Sequence, residues 1–144
     1  MVREIEAHET ALAYPAMLAL RTALRSEEEF VGRVDEVQRP EGYRLAGAFE
    51  EGTAHALAVA GFRAVHALAW GDALYVDDLS TLPEGRRRGY ARALLEWTLE
   101  EARRLGCEQF HLDSGLGPTR ADAHRLYMNA GLQINAFHFA RLVD

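Results

Sequence analysis

Residues 73–105 lay down an apolar strand, a loop with three consecutive arginines and a glycine, and a long amphipathic helix, in that order. This succession constrains the chain more than any other feature. A strand that feeds a helix through a short loop must bury its apolar side chains beneath that helix, which demands stacked layers of sheet and helix. The spacing predicts a strand over residues 73–81 and a helix over residues 90–105. Ala91, Leu94, Leu95, Thr98, Ala102 and Leu105 share one helical face, and Gly106 supplies the stop.

The flanking segments fit the same layering. Residues 12–37 read as helical, with Tyr14, Met17, Leu18, Leu20 and Leu24 largely on one face. Ser26 followed by Glu27, Glu28 and Glu29 marks a second helix start, because a serine caps unpaired amides and acidic groups suit the positive end of a helix. Pro40-Glu41-Gly42 closes this region as a turn. Strands are expected over residues 43–49 and 55–63, with Glu50-Glu51-Gly52 as a turn between them. After the long helix, residues 108–113 read as a strand. A helix starts at Pro118-Thr119, with Thr119 and Asp122 at capping-box spacing and Ala123, Leu126, Tyr127 and Ala130 as its stripe. Gly131 ends it, and residues 137–143 read as a final strand. The order implies an α/β, mixed α+β, domain around a mixed sheet. Residues 1–144 show no linker or repeat, so a single domain is expected.

Composition narrows the function classes. A formal net charge of −6 opposes general binding to a phosphate backbone. One cysteine, Cys107, excludes a disulfide within the chain, and a reducing cytoplasmic setting is expected. The charged first ten residues carry no secretory pattern, and no apolar run approaches the roughly 20 residues of a membrane span.

The loop itself reads as an anion cradle. The first turn of a helix leaves backbone N–H groups unpaired and carries partial positive charge. Gly89 and the small Ala91 allow a ligand to approach the backbone. Arg86, Arg87, Arg88 and Arg92 add cationic charge at this one end of an acidic chain. A pyrophosphate suits such a site, although three arginines in a row also describe an ordinary solvated surface. The Gly-x-Gly-x-x-Gly of dinucleotide folds and the Gly-Lys-Ser/Thr ending of a P-loop are both absent.

Arg86-x-x-Gly89-x-Ala91 resembles the Arg/Gln-x-x-Gly-x-Gly/Ala signature of the GNAT acetyltransferases. The likeness extends through Leu79-x-x-Leu82-Pro83-Glu84 before the loop and Ala93-Leu94-Leu95 after it. It continues in Ala102-Arg103-Arg104-Leu105-Gly106-Cys107 and in Ala123-His124-Arg125-Leu126-Tyr127-x-x-x-Gly131-Leu132. Roughly the second half of the chain is covered. The resemblance implies the GNAT acyl-CoA N-acyltransferase fold, a mostly antiparallel mixed sheet flanked by helices, with acetyl-CoA as co-substrate and no metal. It also implies that the backbone of Arg87, Arg88, Gly89, Tyr90, Ala91 and Arg92 holds the pyrophosphate. Leu79, Ser80 and Thr81 would pair with the pantetheine arm in the manner of an added strand. Many relatives are homodimers, so a homodimer is expected.

Acetyl transfer to an amine requires removal of a proton from the amine, polarisation of the thioester carbonyl and protonation of the departing thiolate. The resemblance assigns the last task to Tyr127, whose ring also belongs to its helix's apolar stripe. Asp77 and Asp78 are the base or amine-binding candidates, and they also read as structural aspartates at a strand end. Alternation along a strand predicts that only one of them faces the acceptor. Asp113-Ser114 reads as a turn or an acceptor contact, and Arg120 and His124 as residues of the Tyr127 helix near the surface. His111-x-Asp113 is the best metal pair, but no second pair stands at ligand spacing. Cys107 at a strand start reads as a small buried residue, and no Gly-x-Ser-x-Gly elbow is present. The expected function is N-acetylation of a primary amine on a small cationic acceptor, by direct attack in a ternary complex. The alternatives are a protein or peptide amine acetyltransferase, and a GNAT-like module that binds acetyl-CoA or a partner without catalysis.

Overall fold

A computed structural model describes residues 1–144. In chain order the main elements are β1 (Val2–Ile5), α1 (Tyr14–Leu20), α2 (Glu27–Gly32), β2 (Arg44–Ala48), β3 (Ala58–Ala67), β4 (Gly71–Thr81), α3 (Tyr90–Arg104), β5 (Gln109–Leu112) and α4 (Ala121–Asn129). The chain divides into two compact units, residues 1–112 and residues 113–144.

The first unit is a five-stranded sheet in the order β1-β2-β3-β4-β5. The first three pairings are antiparallel, and β4 pairs with β5 in parallel. The parallel step follows from α3, because a parallel neighbour requires a crossover and α3 is that crossover. One face of the sheet packs Leu45 and Val59 against Met17 of α1 and Phe30 of α2. The other face presents Ala46, Ala48, Ala58, Ala60, Phe62, Leu74 and Val76 to Leu94 and Ala102 of α3. Four alanines on that face let the helix backbone come close. Phe62 meets the Trp97 ring edge-on, with centroids 5.9 Å apart. Leu94 and Phe62 are fully buried, and each burial contributes about 1.5–3 kcal/mol.

The start at Ser26 forms as expected: its hydroxyl accepts a hydrogen bond from the Glu29 N–H at 3.0 Å. The helical stretch from residue 12 is broken at residues 21–26, and α2 runs on into a wider π-helical turn, Arg33–Gln38. The strand expected over residues 55–63 is displaced to Ala58–Ala67, because residues beyond 63 continue to pair with β4. β1 was not expected. Its four residues, with a single buried side chain, give periodicity nothing to register.

The second unit holds a short 3-10 turn, Pro118–Arg120, and α4. The expected box between Thr119 and Asp122 does not form, because α4 begins after Arg120 and lacks a side-chain cap. No residue of this unit is buried. The strand expected over residues 137–143 is absent, since these residues have no ladder partner. No helix of the chain is long and apolar enough to cross a membrane.

Candidate functional site

β5 accompanies β4 only from Ala73 to Val76. Beyond that point β4 continues to Thr81 with β3 on one side alone, so Leu79, Ser80 and Thr81 lie on an open sheet edge. The register of β3 against β4 shifts at the same level. Gly61 pairs with Asp78 and Phe62 with Val76, which leaves Asp77 as an extra residue in β4. Such a bulge interrupts strict alternation.

The bulge thus breaks the alternation that would turn the two aspartates to opposite faces, while of the two only Asp78 lines the neighbouring cavity. The Tyr43 hydroxyl donates to Asp78 Oδ2 at 2.7 Å, and Arg21 Nε donates to Asp78 Oδ1 at 2.8 Å. Arg63, two residues from Gly61 and so on the same face of β3, donates through Nε to both Asp77 carboxylate oxygens at 3.1 Å. Arg21 also reaches the Asp77 backbone carbonyl at 2.9 Å. Both carboxylates thus meet partners on the face covered by α1 and α2. Burial pushes the Asp77 carboxyl above its ordinary value, the neighbouring Asp78 adds to this, and Arg63 and Arg21 oppose it. Burial also holds the Tyr43 hydroxyl well above the usual tyrosine value, with Asp78 next in weight, so Tyr43 remains a donor.

Beside Asp78 and Tyr43, a cavity of about 400 Å³ opens under α1 and α2. Its apolar wall includes Met17, Leu24, Phe30 and Val34, and Arg21 reaches Asp78 at its polar end. A cavity of this volume accommodates a small molecule.

The loop after β4 is anchored by the Leu82 N–H, which donates to the Leu57 carbonyl at 2.8 Å. A 3-10 turn, Pro83–Gly85, follows, with Gly85 buried against Leu57. Arg87 adopts φ of 63°, the one non-glycine residue with positive φ, and Gly89 follows at φ of 80°. Non-glycine residues in this region are strained by about 1–2 kcal/mol, and such strain concentrates at ligand sites. Gly89 is the N-cap of α3 and offers no capping side chain. The N–H groups of Tyr90, Ala91 and Arg92 open the helix. Arg86, Arg87 and Arg88 are exposed around them. Arg88 pairs with Glu50 at 2.8 Å, and Arg92 with Glu96 at 2.9 Å.

In the second unit Tyr127 is half-buried in α4, and burial raises its hydroxyl above the usual value. His124 Nε2 lies 2.9 Å from the Gly115 carbonyl, and Asp113 lies 3.4 Å from His138. The first unit therefore brings together Asp77 and Asp78, and orders Leu79 through Arg92 along one strand, loop and helix. Tyr127 belongs to the other unit. Burial raises the Cys107 thiol, with Asp72 adding to the effect, so it is a poor nucleophile. Tyr43, Arg21 and Arg63 were not anticipated as parts of the site. Their sequence neighbourhoods carry no motif, and only the folded sheet brings them to the aspartates.

The sequence and the fold both have relatives among known proteins. The sequence is 34% identical over 137 residues to an uncharacterized N-acetyltransferase, YhdJ, of Bacillus subtilis (strain 168), covering 94% of this chain and 92% of the relative. The fold matches a putative acetyltransferase from Agrobacterium tumefaciens str. C58 with a TM-score of 0.82 at 20% identity, over 99% of both chains. It also matches an aminoglycoside N-acetyltransferase in complex with CoA with a TM-score of 0.79 at 14% identity, over 99% of this chain and 93% of that one. The sequence model of the acetyltransferase (GNAT) family matches residues 8–132, and the chain belongs to that family.

Proposed function

We propose that the protein is an N-acetyltransferase that moves the acetyl group of acetyl-CoA to a primary amine of a small cationic acceptor, by direct attack within a ternary complex. One observation carries this reading: the open β4 edge, Leu79 to Thr81, leads within one loop to the uncapped start of α3. That edge suits an extended amide-bearing arm, and the helix start with Arg86, Arg87 and Arg88 suits a pyrophosphate. Gly89, Tyr90, Ala91 and Arg92 offer their backbone amides to the same anion. No metal takes part in the proposed reaction.

The acceptor lies in the cavity beside Asp78. Its ammonium takes the place of a guanidinium at the carboxylates, and Asp77, already raised toward neutrality by burial, receives the proton directly or through water. The amine nitrogen then attacks the thioester carbon, the carbon–sulfur bond breaks, and the electron pair leaves on sulfur. Tyr127 protonates the departing thiolate, a role that rests on the family pattern, and the tyrosinate takes back, through water, the second proton that the acylated nitrogen sheds as the amide forms. Asp78, fixed by Tyr43 and Arg21, positions the amine. Residues 1–144 work as one domain in this reading, and the reducing cytoplasm is its setting.

The test is calorimetric titration of acetyl-CoA into the parent and into Gly89→Glu, followed by thiol-release assays across amine acceptors. A Cβ at Gly89 meets nothing within 4 Å, so the added side chain clashes with no neighbour, but φ of 80° strains any residue with a side chain there, and the variant's fold is therefore checked by circular dichroism. Binding in the parent that disappears in the variant supports the loop assignment. Parent binding without turnover on any amine identifies a non-catalytic module instead. No binding in the parent overturns the transferase reading.

A further inference from the structure

The cavity beside Asp78 carries more positive charge than negative. Its charged lining is Arg21, Arg33 and Asp78, two guanidiniums against one carboxylate. That carboxylate is already paired: Arg21 donates to it at 2.8 Å, and the Tyr43 hydroxyl at 2.7 Å. Arg63 likewise occupies the neighbouring Asp77. Arg33 is held more loosely, because Glu29 stands 3.7 Å from it and bonds Arg25 at 2.9 Å instead. A purely cationic amine meets an obstacle here. To reach Asp78 it must displace Arg21, which leaves that guanidinium in the same cavity as Arg33 with no counter-ion. An unpaired charge at a partly buried site is costly. An amine that also carries a carboxylate removes the obstacle. Its ammonium replaces Arg21 at Asp78, its carboxylate meets the freed guanidinium, and one ion pair becomes two. The planar guanidinium suits the exchange, since its fork matches a carboxylate with two parallel hydrogen bonds.

We propose that the acceptor is an α-amino acid with a large apolar side chain, bound by exchange of the Arg21–Asp78 pair. This rests on the transferase reading above and narrows its acceptor class. In an α-amino acid the ammonium and the carboxylate sit on one carbon, so together they fit two oppositely charged partners that touch each other, as Arg21 and Asp78 do. The rest of the wall selects the side chain. Met17, Phe30 and Val34 are buried, and with Leu24 they give the cavity its apolar lining. A volume of about 400 Å³ exceeds what an ammonium and a carboxylate fill. Each methylene buried against that lining is worth roughly fourfold in affinity. The chemistry is the transfer described above: the nitrogen–carbon bond forms and the carbon–sulfur bond breaks. Of the two protons that the α-ammonium loses, one ends on the thiol and one in solvent. The product, an N-acetyl amino acid, no longer carries a cation for Asp78, so Arg21 returns to the aspartate and release is favoured.

The test uses the full chain and two readouts. In thiol-release assays with saturating acetyl-CoA, L-leucine is compared with L-alanine, with L-leucinamide and isopentylamine, which lack the carboxylate, and with spermidine. The kcat/KM for leucine is expected to exceed that for leucinamide and isopentylamine at least about 30-fold, and that for alanine at least about 10-fold. In Arg21→Gln, checked by circular dichroism, the leucine-to-leucinamide ratio is expected to fall to near one, because the carboxylate has lost its partner. If that variant does not fold, the ratios of the parent decide alone. The second readout is calorimetric binding of leucine and leucinamide to the parent in the presence of CoA, where no transfer can occur. Leucine bound at least about 30-fold tighter than leucinamide, with no thiol release on any amine, sinks the transferase reading and keeps the amino-acid site. Leucinamide or spermidine used or bound as well as leucine, alanine used as well as leucine, or a folded Arg21→Gln that keeps the ratio of the parent each overturns the proposal. So does leucine that is neither bound nor acetylated.

Discussion

The phenolic oxygen of Tyr43 lies 2.7 Å from Oδ2 of Asp78, and it does so by passing over the α-carbon of Gly61, the residue paired with Asp78 across the sheet. A Cβ added to Gly61 would stand 1.8 Å from that oxygen. The bulge, the glycine and the tyrosine are thus one device for fixing a carboxylate beside the cavity. Gly61→Ala is expected to force Tyr43 aside and cost about 1–3 kcal/mol, read by urea unfolding. An unchanged midpoint would mean the ring swings away freely and does not hold Asp78.

Tyr43→Phe tests the same contact from the other side. The half-buried Asp78 keeps Arg21 but loses a donor, and the expected cost is about 1–2 kcal/mol in thermal or urea unfolding. In the proposed reaction this variant also raises the acceptor KM, since the carboxylate is less well placed.

Asp77 gives a pH signature. Its folded value lies above the unfolded one, so the folded chain holds more protons between the two, and this group's contribution to stability falls as pH rises through that window. Asp77→Asn is expected to abolish that slope when stability is measured from about pH 3 to 7. If Asp77 is also the base, the variant slows turnover by about 100-fold or more with acceptor saturating. A variant of full activity at every pH would remove Asp77 from the chemistry.

Glu101 acts in the opposite sense. It is 8% exposed on α3, and burial pushes its carboxyl up, but Arg104 and Arg44 together outweigh burial and hold it below the ordinary value. Arg44 donates to it at 2.8 Å and also binds Glu4 of β1, tying α3 to two strands. Its contribution is present above the unfolded value and is lost as pH falls through the lower folded one. Glu101→Gln is expected to cost about 2–3 kcal/mol at neutral pH, less than a fully buried pair because Arg44 keeps Glu4. The deficit should shrink in acid, which a chemical-unfolding series against pH would show.

Tyr127→Phe addresses the proposed acid. Burial keeps the hydroxyl protonated through the physiological range. Its loss should lower kcat by about 100-fold with little change in acetyl-CoA affinity. A parallel fall in affinity and rate would point to packing of the ring instead.

The sequence by itself determined the strand, loop and helix that carry the coenzyme-site candidates. Each of these depends on neighbours along the chain: the periodic stripe of α3, the glycine at φ of 80°, and the Ser26 cap whose partner is three residues away. Residues 73–81 and 90–105 matched β4 and α3 to within two residues for that reason. Tertiary structure decided the rest. The bulge at Asp77 exists only in the register of β3 on β4, and it places both carboxylates on one face against the alternation that the sequence implies. Arg21, Tyr43 and Arg63 reach those carboxylates across 14 to 57 positions of chain. Residues 137–143 show the converse. Their pattern is that of a strand, but a strand is made by the hydrogen bonds of a neighbour, and alternation cannot say whether one is there.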